Sequence, residues 1–223
     1  MAIDAPAGLP PAVAPRPLLR GTLHLAMAIV APFALALMLL IAHTPQGYVG
    51  AAIFGAALIA CFSVSASYHL VPWPQVLRGV MKRLDHSMIF VLIAGTYTPF
   101  CLTVLWGAWG ISMLSVVWSI AGVGVLLKVA WPYAPRPLSV GAYLAVGWVA
   151  LVATVPLLTA MAAWALALVA LGGALCSVGG LVYARRRPDP YPRVFGYHEV
   201  FHALVVAGVV VFFSLVTFYL LPA

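Results

Sequence analysis

The segment His198-Glu199-Val200-Phe201-His202 opens an apolar run that continues to the C-terminus, so two imidazoles and a carboxylate enter a lipid-facing helix. Ionisable groups inside a bilayer are costly, by roughly 2.5–3.5 kcal/mol on insertion scales for a charged side chain, and by default they mark function. Residues four apart stack on one helix face, which points two nitrogen donors at one metal ion. Taken alone, two histidines at this spacing are common, and side chains reaching toward headgroups would account for them as well. The remaining parts of a site must come from elsewhere in the chain. His69 with Ser65 one turn before it, the pair Asp85-His86, and His24 are the candidates.

These residue types have a chemistry in common. Three neutral imidazoles on Zn²⁺ leave a fourth position for water, whose pKa the ion lowers to about 7. A nearby carboxylate can orient that water and take its proton. A hydroxyl one turn from a ligand can donate to the oxyanion formed when a carbonyl is attacked. His69, His198 and His202 fill the ligand roles, Asp85 the carboxylate role and Ser65 the donor role. Glu199 is a competing base, as in soluble H-E-x-x-H metalloproteases, although a helical step of about 100° separates it from His198. Plainer readings stand beside these. Ser65 and His69 could be hydrogen-bonding glue between helices, and Asp85 could pair with Lys82, Arg83 or His86. His24 and His86 read as supports rather than ligands.

Composition defines the elements that must hold these groups. The chain is 65% hydrophobic and 7% charged, against about 25% charged in soluble domains, so it is an integral membrane protein. Its apolar runs are continuous rather than alternating, which argues for helices over a barrel. Cys61, Cys101 and Cys176 sit singly in apolar segments and read as small core residues. Seven spans are expected, near 22–42, 50–70, 84–105, 109–130, 138–158, 161–183 and 197–221, with Pro32, Pro99 and Pro156 inside them. Residues 1–19 form an Ala- and Pro-rich tail expected to be flexible, and residues 20–223 the seven-helix domain. The first apolar run is too long for a signal-peptide core and is kept as a mature span.

With seven spans, all eleven Lys and Arg fall on one side. The positive-inside rule then places the N-terminus in the cytoplasm and the C-terminus outside. The net charge of +7 is thereby assigned to topology and to anionic lipid headgroups at the cytoplasmic face, with no nucleic acid as partner. That topology also predicts depth. His24, His69, His86, His198 and His202, with Asp85 and Glu199, lie in the inner-leaflet half, and His43 lies outside.

The order of three elements carries a family likeness. Ser65-Ala66-Ser67-Tyr68-His69 is followed by Arg83-Leu84-Asp85-His86, leading to Ala94-Gly95-Thr96-Tyr97-Thr98-Pro99, and then by Gly196-Tyr197-His198-Glu199-Val200-Phe201-His202. From Arg20 to Tyr219 the chain resembles the hemolysin III family, the bacterial branch of the progestin and adipoQ receptor family that includes the adiponectin receptors. Arg20-Gly21 followed by His24 is a softer match. The resemblance implies a seven-helix bundle with a cytoplasmic N-terminus and zinc held by His69, His198 and His202. It also implies an Asp85 bridged to the metal through water, with Ser65 beside it. The family's relation to alkaline ceramidases implies hydrolysis of an amide or ester in a membrane lipid.

The resulting expectation is a zinc-dependent intramembrane hydrolase of the cell membrane, opening near the inner leaflet. Two rivals belong to other classes. A hemolysin-like pore should carry polar residues through both leaflets, whereas the outer halves of these spans are almost wholly apolar. A membrane-homeostasis sensor with structural zinc would use the same ligands.

Overall fold

The computed structural model describes residues 17–222, and among these there is no extended strand, only an isolated bridge between Tyr191 and Phe195. Eight α-helices follow in order: α1 Thr22–Ile41, α2 Pro45–Leu70, α3 Gln75–Leu102, α4 Ala108–Ala130, α5 Arg136–Gly147, α6 Thr154–Ala160, α7 Ala163–Arg185 and α8 Tyr197–Leu215. A 3₁₀ segment, Trp148–Ala153, joins α5 to α6, and a π-helical turn, Val216–Leu220, closes the chain. Among the described residues, six segments are long and apolar enough to cross a membrane: α1, α2, α4, the joined unit Arg136–Ala160, α7, and α8 with its final turn. The chain is therefore a helical membrane bundle.

Helix α3 is not among those six. Its 28 residues would reach about 42 Å at 1.5 Å per residue, ample for a hydrocarbon core of about 30 Å. Arg78, Lys82, Arg83 and Asp85 in its first half keep it below the apolarity of the others. It is nevertheless central, packing against both α2 and α4. Close approach to α2 depends on glycine: a Cβ on Gly95 would lie 2.5 Å from that of Ala57, and one on Gly50 would lie 2.9 Å from the Cα of Pro99. Small residues at such crossings let membrane helices meet where lipid supplies no hydrophobic drive. Phe54, Leu58 and Phe62 of α2 are fully buried in the resulting core.

The break between α5 and α6 follows from Pro156, which has no N–H and crowds the carbonyl four residues earlier. The backbone groups released by the 3₁₀ stretch must be satisfied within the bundle. Tyr97 of α3 does this. Its hydroxyl donates to the Gly147 carbonyl (2.6 Å) and accepts from the Ala150 N–H (2.8 Å). Tyr97→Phe is expected to cost about 1–3 kcal/mol, the penalty for stranding such groups. Thermal unfolding in detergent checks this, and an unchanged midpoint would dismiss the role.

Of the Ala- and Pro-rich tail, residues 1–16 lie outside the described residues. Leu18 and Leu19 donate backbone hydrogen bonds to the carbonyls of Arg193 and Val194, at 3.0 and 3.1 Å. The segment just before α1 is thereby tied to the connection between α7 and α8, beside the segment that carries His198.

Candidate metal centre

Helices α2 and α8 bring His69, His198 and His202 together at one end of the bundle. One ring nitrogen from each converges, all within 4.8 Å of one another, so the three could hold a metal ion. The Nε2 atoms of His69 and His198 are 3.3 Å apart. The ring centroid of His202 lies 4.5 Å from that of His198 and 5.3 Å from that of His69. Among the described residues, the convergent group of donors numbers three. Asp85, on α3, approaches from the third side, with Oδ2 3.9 Å from Nε2 of His69. Ser65 is buried one turn before His69 and lies within reach of Asp85.

The three elements that the sequence marked thus meet in space, and so does the softer match at the start of α1. Each of its three residues buttresses the histidines. His24 is buried and stacks face to face on His202, with centroids 3.7 Å apart and planes 9° from parallel. Its Nδ1 is 2.8 Å from the Ser65 hydroxyl. Its other nitrogen, Nε2, is buried with no hydrogen-bond partner among the described residues. Gly21 has φ +86°, where a side chain is strained, and a Cβ there would lie 2.7 Å from the Cβ of His69. Gly21→Val should therefore displace His69. Outer-shell disturbances of this kind cost roughly 10–100-fold in metal affinity. Metal content of the purified variant measures it, and a wild-type value would show that His69 is not held from this side.

Arg20 resolves the competition between Asp85 and Glu199. Glu199 is 1% exposed and forms an ion pair with the Arg20 guanidinium. Its second oxygen accepts the Gly196 N–H at 2.8 Å, capping the first turn of α8. Both carboxylate oxygens are thereby engaged. Glu199 is a tie between the N-terminal segment and α8, which leaves Asp85 as the carboxylate beside the histidines. No local spacing signals this pairing, since 179 residues separate Arg20 from Glu199. His86 also stands apart from the donors: its Nδ1 is 2.8 Å from the Lys82 carbonyl.

The triad opens into a cavity of about 920 Å³ between α3, α5, α7 and α8. Near the histidines its wall is polar and cationic, whereas deeper in it is formed by Leu92, Phe100, Leu157, Val209 and Phe212. This is an amphipathic space, with reactive groups at its polar end and room for a long apolar chain beyond. Pockets of roughly 300–1,000 Å³ hold ligands of small-molecule size.

The model of a family described as Haemolysin-III related matches residues 13–213. A hemolysin-3 homolog of Bacillus subtilis (strain 168) is 34% identical over 167 residues, 75% of either chain. Hemolysin-3 of Bacillus cereus is 31% identical over 192 residues, 84% of either chain.

Proposed function

Since the chain belongs to the Haemolysin-III related family and is a multi-pass cell-membrane protein, we propose that it is a zinc-dependent intramembrane hydrolase of a lipid amide or ester. The observation that carries this reading is the histidine triad at the polar end of a lipid-sized cavity, with a carboxylate beside it. Zn–N bonds of about 2.0–2.1 Å at tetrahedral angles set ligand nitrogens about 3.3–3.4 Å apart. The 3.3 Å between His69 and His198 suits one edge of such a tetrahedron, as it also suits an N–H···N bond. Three imidazole donors match the ligand set of a zinc site with an open position rather than a closed structural one.

A zinc ion held there would supply Lewis acidity, polarising a carbonyl and making water a competent nucleophile near neutral pH. The protein's own groups do the rest. Asp85 takes a proton from the attacking water and can return it to the leaving group. Ser65 donates its hydroxyl hydrogen toward developing negative charge on the carbonyl oxygen, and His24 fixes the orientation of that hydroxyl. The apolar depth of the cavity binds the acyl chain, so the scissile carbonyl rests at the polar end. The same apolar lining argues against an ion path, because a dewetted constriction blocks conduction.

In this reading α3 is a seventh crossing, its charged half lining the cavity rather than facing lipid. Seven crossings place the cationic end, with the triad, in the cytoplasmic leaflet and the C-terminus outside. The substrate then enters from the inner leaflet. The test is hydrolysis of acyl-amide and acyl-ester lipids by purified protein with zinc, after chelation, and after zinc is restored. Turnover lost and regained with zinc is the expected result. Zinc bound stoichiometrically with no turnover of either class would assign the metal to structure instead.

A further inference from the structure

The cavity carries more positive charge than its own residues balance. Arg20, Arg78, Lys82, Lys128 and Arg136 line it, against the single carboxylate of Asp85. Arg20 is paired with Glu199, but none of the other four forms an ion pair among the described residues. They rest on neutral groups instead. Lys82 sits 4.5 Å from the Tyr133 ring centroid and Arg78 lies 5.6 Å from that of Tyr68. Lys128 donates to the Ser139 hydroxyl and lies 5.5 Å from the Tyr143 ring. Arg136 donates to the Tyr197 hydroxyl at 3.3 Å and covers the Tyr183 ring. These cations gather around His86: its Nδ1 is 2.8 Å from the Lys82 carbonyl, Tyr143 beneath Lys128 donates to its carbonyl at 3.1 Å, and Arg136 lines the same cavity.

The positive-inside rule explains why cations gather at this end, but not why these four turn inward. Arg83, Arg185 and Arg193, by contrast, are exposed, as suits cations that serve topology alone. Lys128 is 7% exposed and faces the cavity from the last turn of α4. Aromatic faces and a hydroxyl offset only part of the cost of burying a cation, and an anion offsets far more. Several unbalanced cations around one space favour a group with more than one negative charge. Guanidinium and ammonium donors together suit phosphate oxygens.

We propose that this cavity takes an amphiphile whose headgroup carries a phosphate, held among Lys82, Lys128 and Arg136, with its acyl chain in the apolar depth. This names the substrate class of the hydrolase reading and rests on it for turnover, but not for binding. A phosphate could also arrive as the free ion, so the probes separate the two sources.

Binding is measured by intrinsic tryptophan fluorescence on the full chain in maltoside micelles. The probes are lysophosphatidic acid, a monoacylglycerol of the same chain length, and inorganic phosphate. Charge-assisted contacts predict that lysophosphatidic acid binds about tenfold or more tighter than the neutral lipid. Lys128→Gln/Arg136→Gln should abolish that preference while leaving monoacylglycerol binding intact. Lys128→Arg/Arg136→Lys, which keeps the charge, should preserve it, as should Arg185→Gln/Arg193→Gln, which removes the same charge outside the cavity. Equal affinity for the two lipids in the unaltered protein overturns the proposal. So does an equal loss in the outer-surface variant, and so does inorganic phosphate binding as tightly as the lipid. Discrimination that persists in zinc-loaded protein showing no turnover would uphold this assignment while the hydrolase reading fails.

Discussion

Purified His202→Ala protein is expected to carry almost no metal, where the unaltered chain carries about one ion. His202 is the donor best placed to show this. It is 3% exposed, its ring stacks on that of His24, and its centroid lies 4.5 Å from that of His198 and 5.3 Å from that of His69. Two imidazoles do not complete a zinc site, whose affinity comes from at least three protein donors held in place. Loss of a direct ligand should exceed the roughly 10–100-fold penalty typical of outer partners. Elemental analysis by mass spectrometry gives the stoichiometry directly. His86→Ala and His43→Ala provide the contrast, because neither ring belongs to the convergent group, and both should retain the metal. Undiminished metal in His202→Ala would end the triad assignment, and the hydrolase reading with it.

Asp85→Asn should separate binding from chemistry. Asparagine keeps the shape of the side chain and its ability to hydrogen-bond Ser65, but it cannot accept a proton. General acid–base groups contribute typically 10²–10⁴-fold, so hydrolysis should fall by about that factor while metal content stays unchanged. The carboxylate stands 3.9 Å from Nε2 of His69, too long for a strong hydrogen bond, so its removal should not scatter the histidines. Product release from an acyl-amide or acyl-ester lipid is the readout. Full turnover in Asp85→Asn would remove proton transfer from this residue. Loss of metal together with activity would make Asp85 a support for the triad. Glu199→Gln is the informative partner variant. Its carboxylate is engaged by Arg20 and by the Gly196 N–H, so the substitution should lower thermal stability while sparing the kcat of folded protein.

Sequence and structure divide the work along physical lines. Hydropathy alone marks most of the helices, because lipid demands long apolar runs whose backbone groups are satisfied internally. It places their ends poorly where a helix turns a polar face inward. The apolar run of α3 suggests a start near residue 84, yet the helix begins at Gln75, since its cationic first turns line a cavity. Hydropathy also reads one span over 138–158, whereas Pro156 and the hydroxyl of Tyr97 divide that unit into α5, a 3₁₀ segment and α6.

For the site, residue type and helical period bring His198 and His202 onto one face without reference to anything else in the chain. That His69 joins them, that Asp85 rather than Glu199 is the carboxylate beside them, and that Arg20, Gly21 and His24 brace the histidines are matters of which helices adjoin. Local spacing constrains only contacts within a few turns. The pairing of Arg20 with Glu199 spans 179 residues and that of His24 with Ser65 spans 41, so both were decided by how the helices pack.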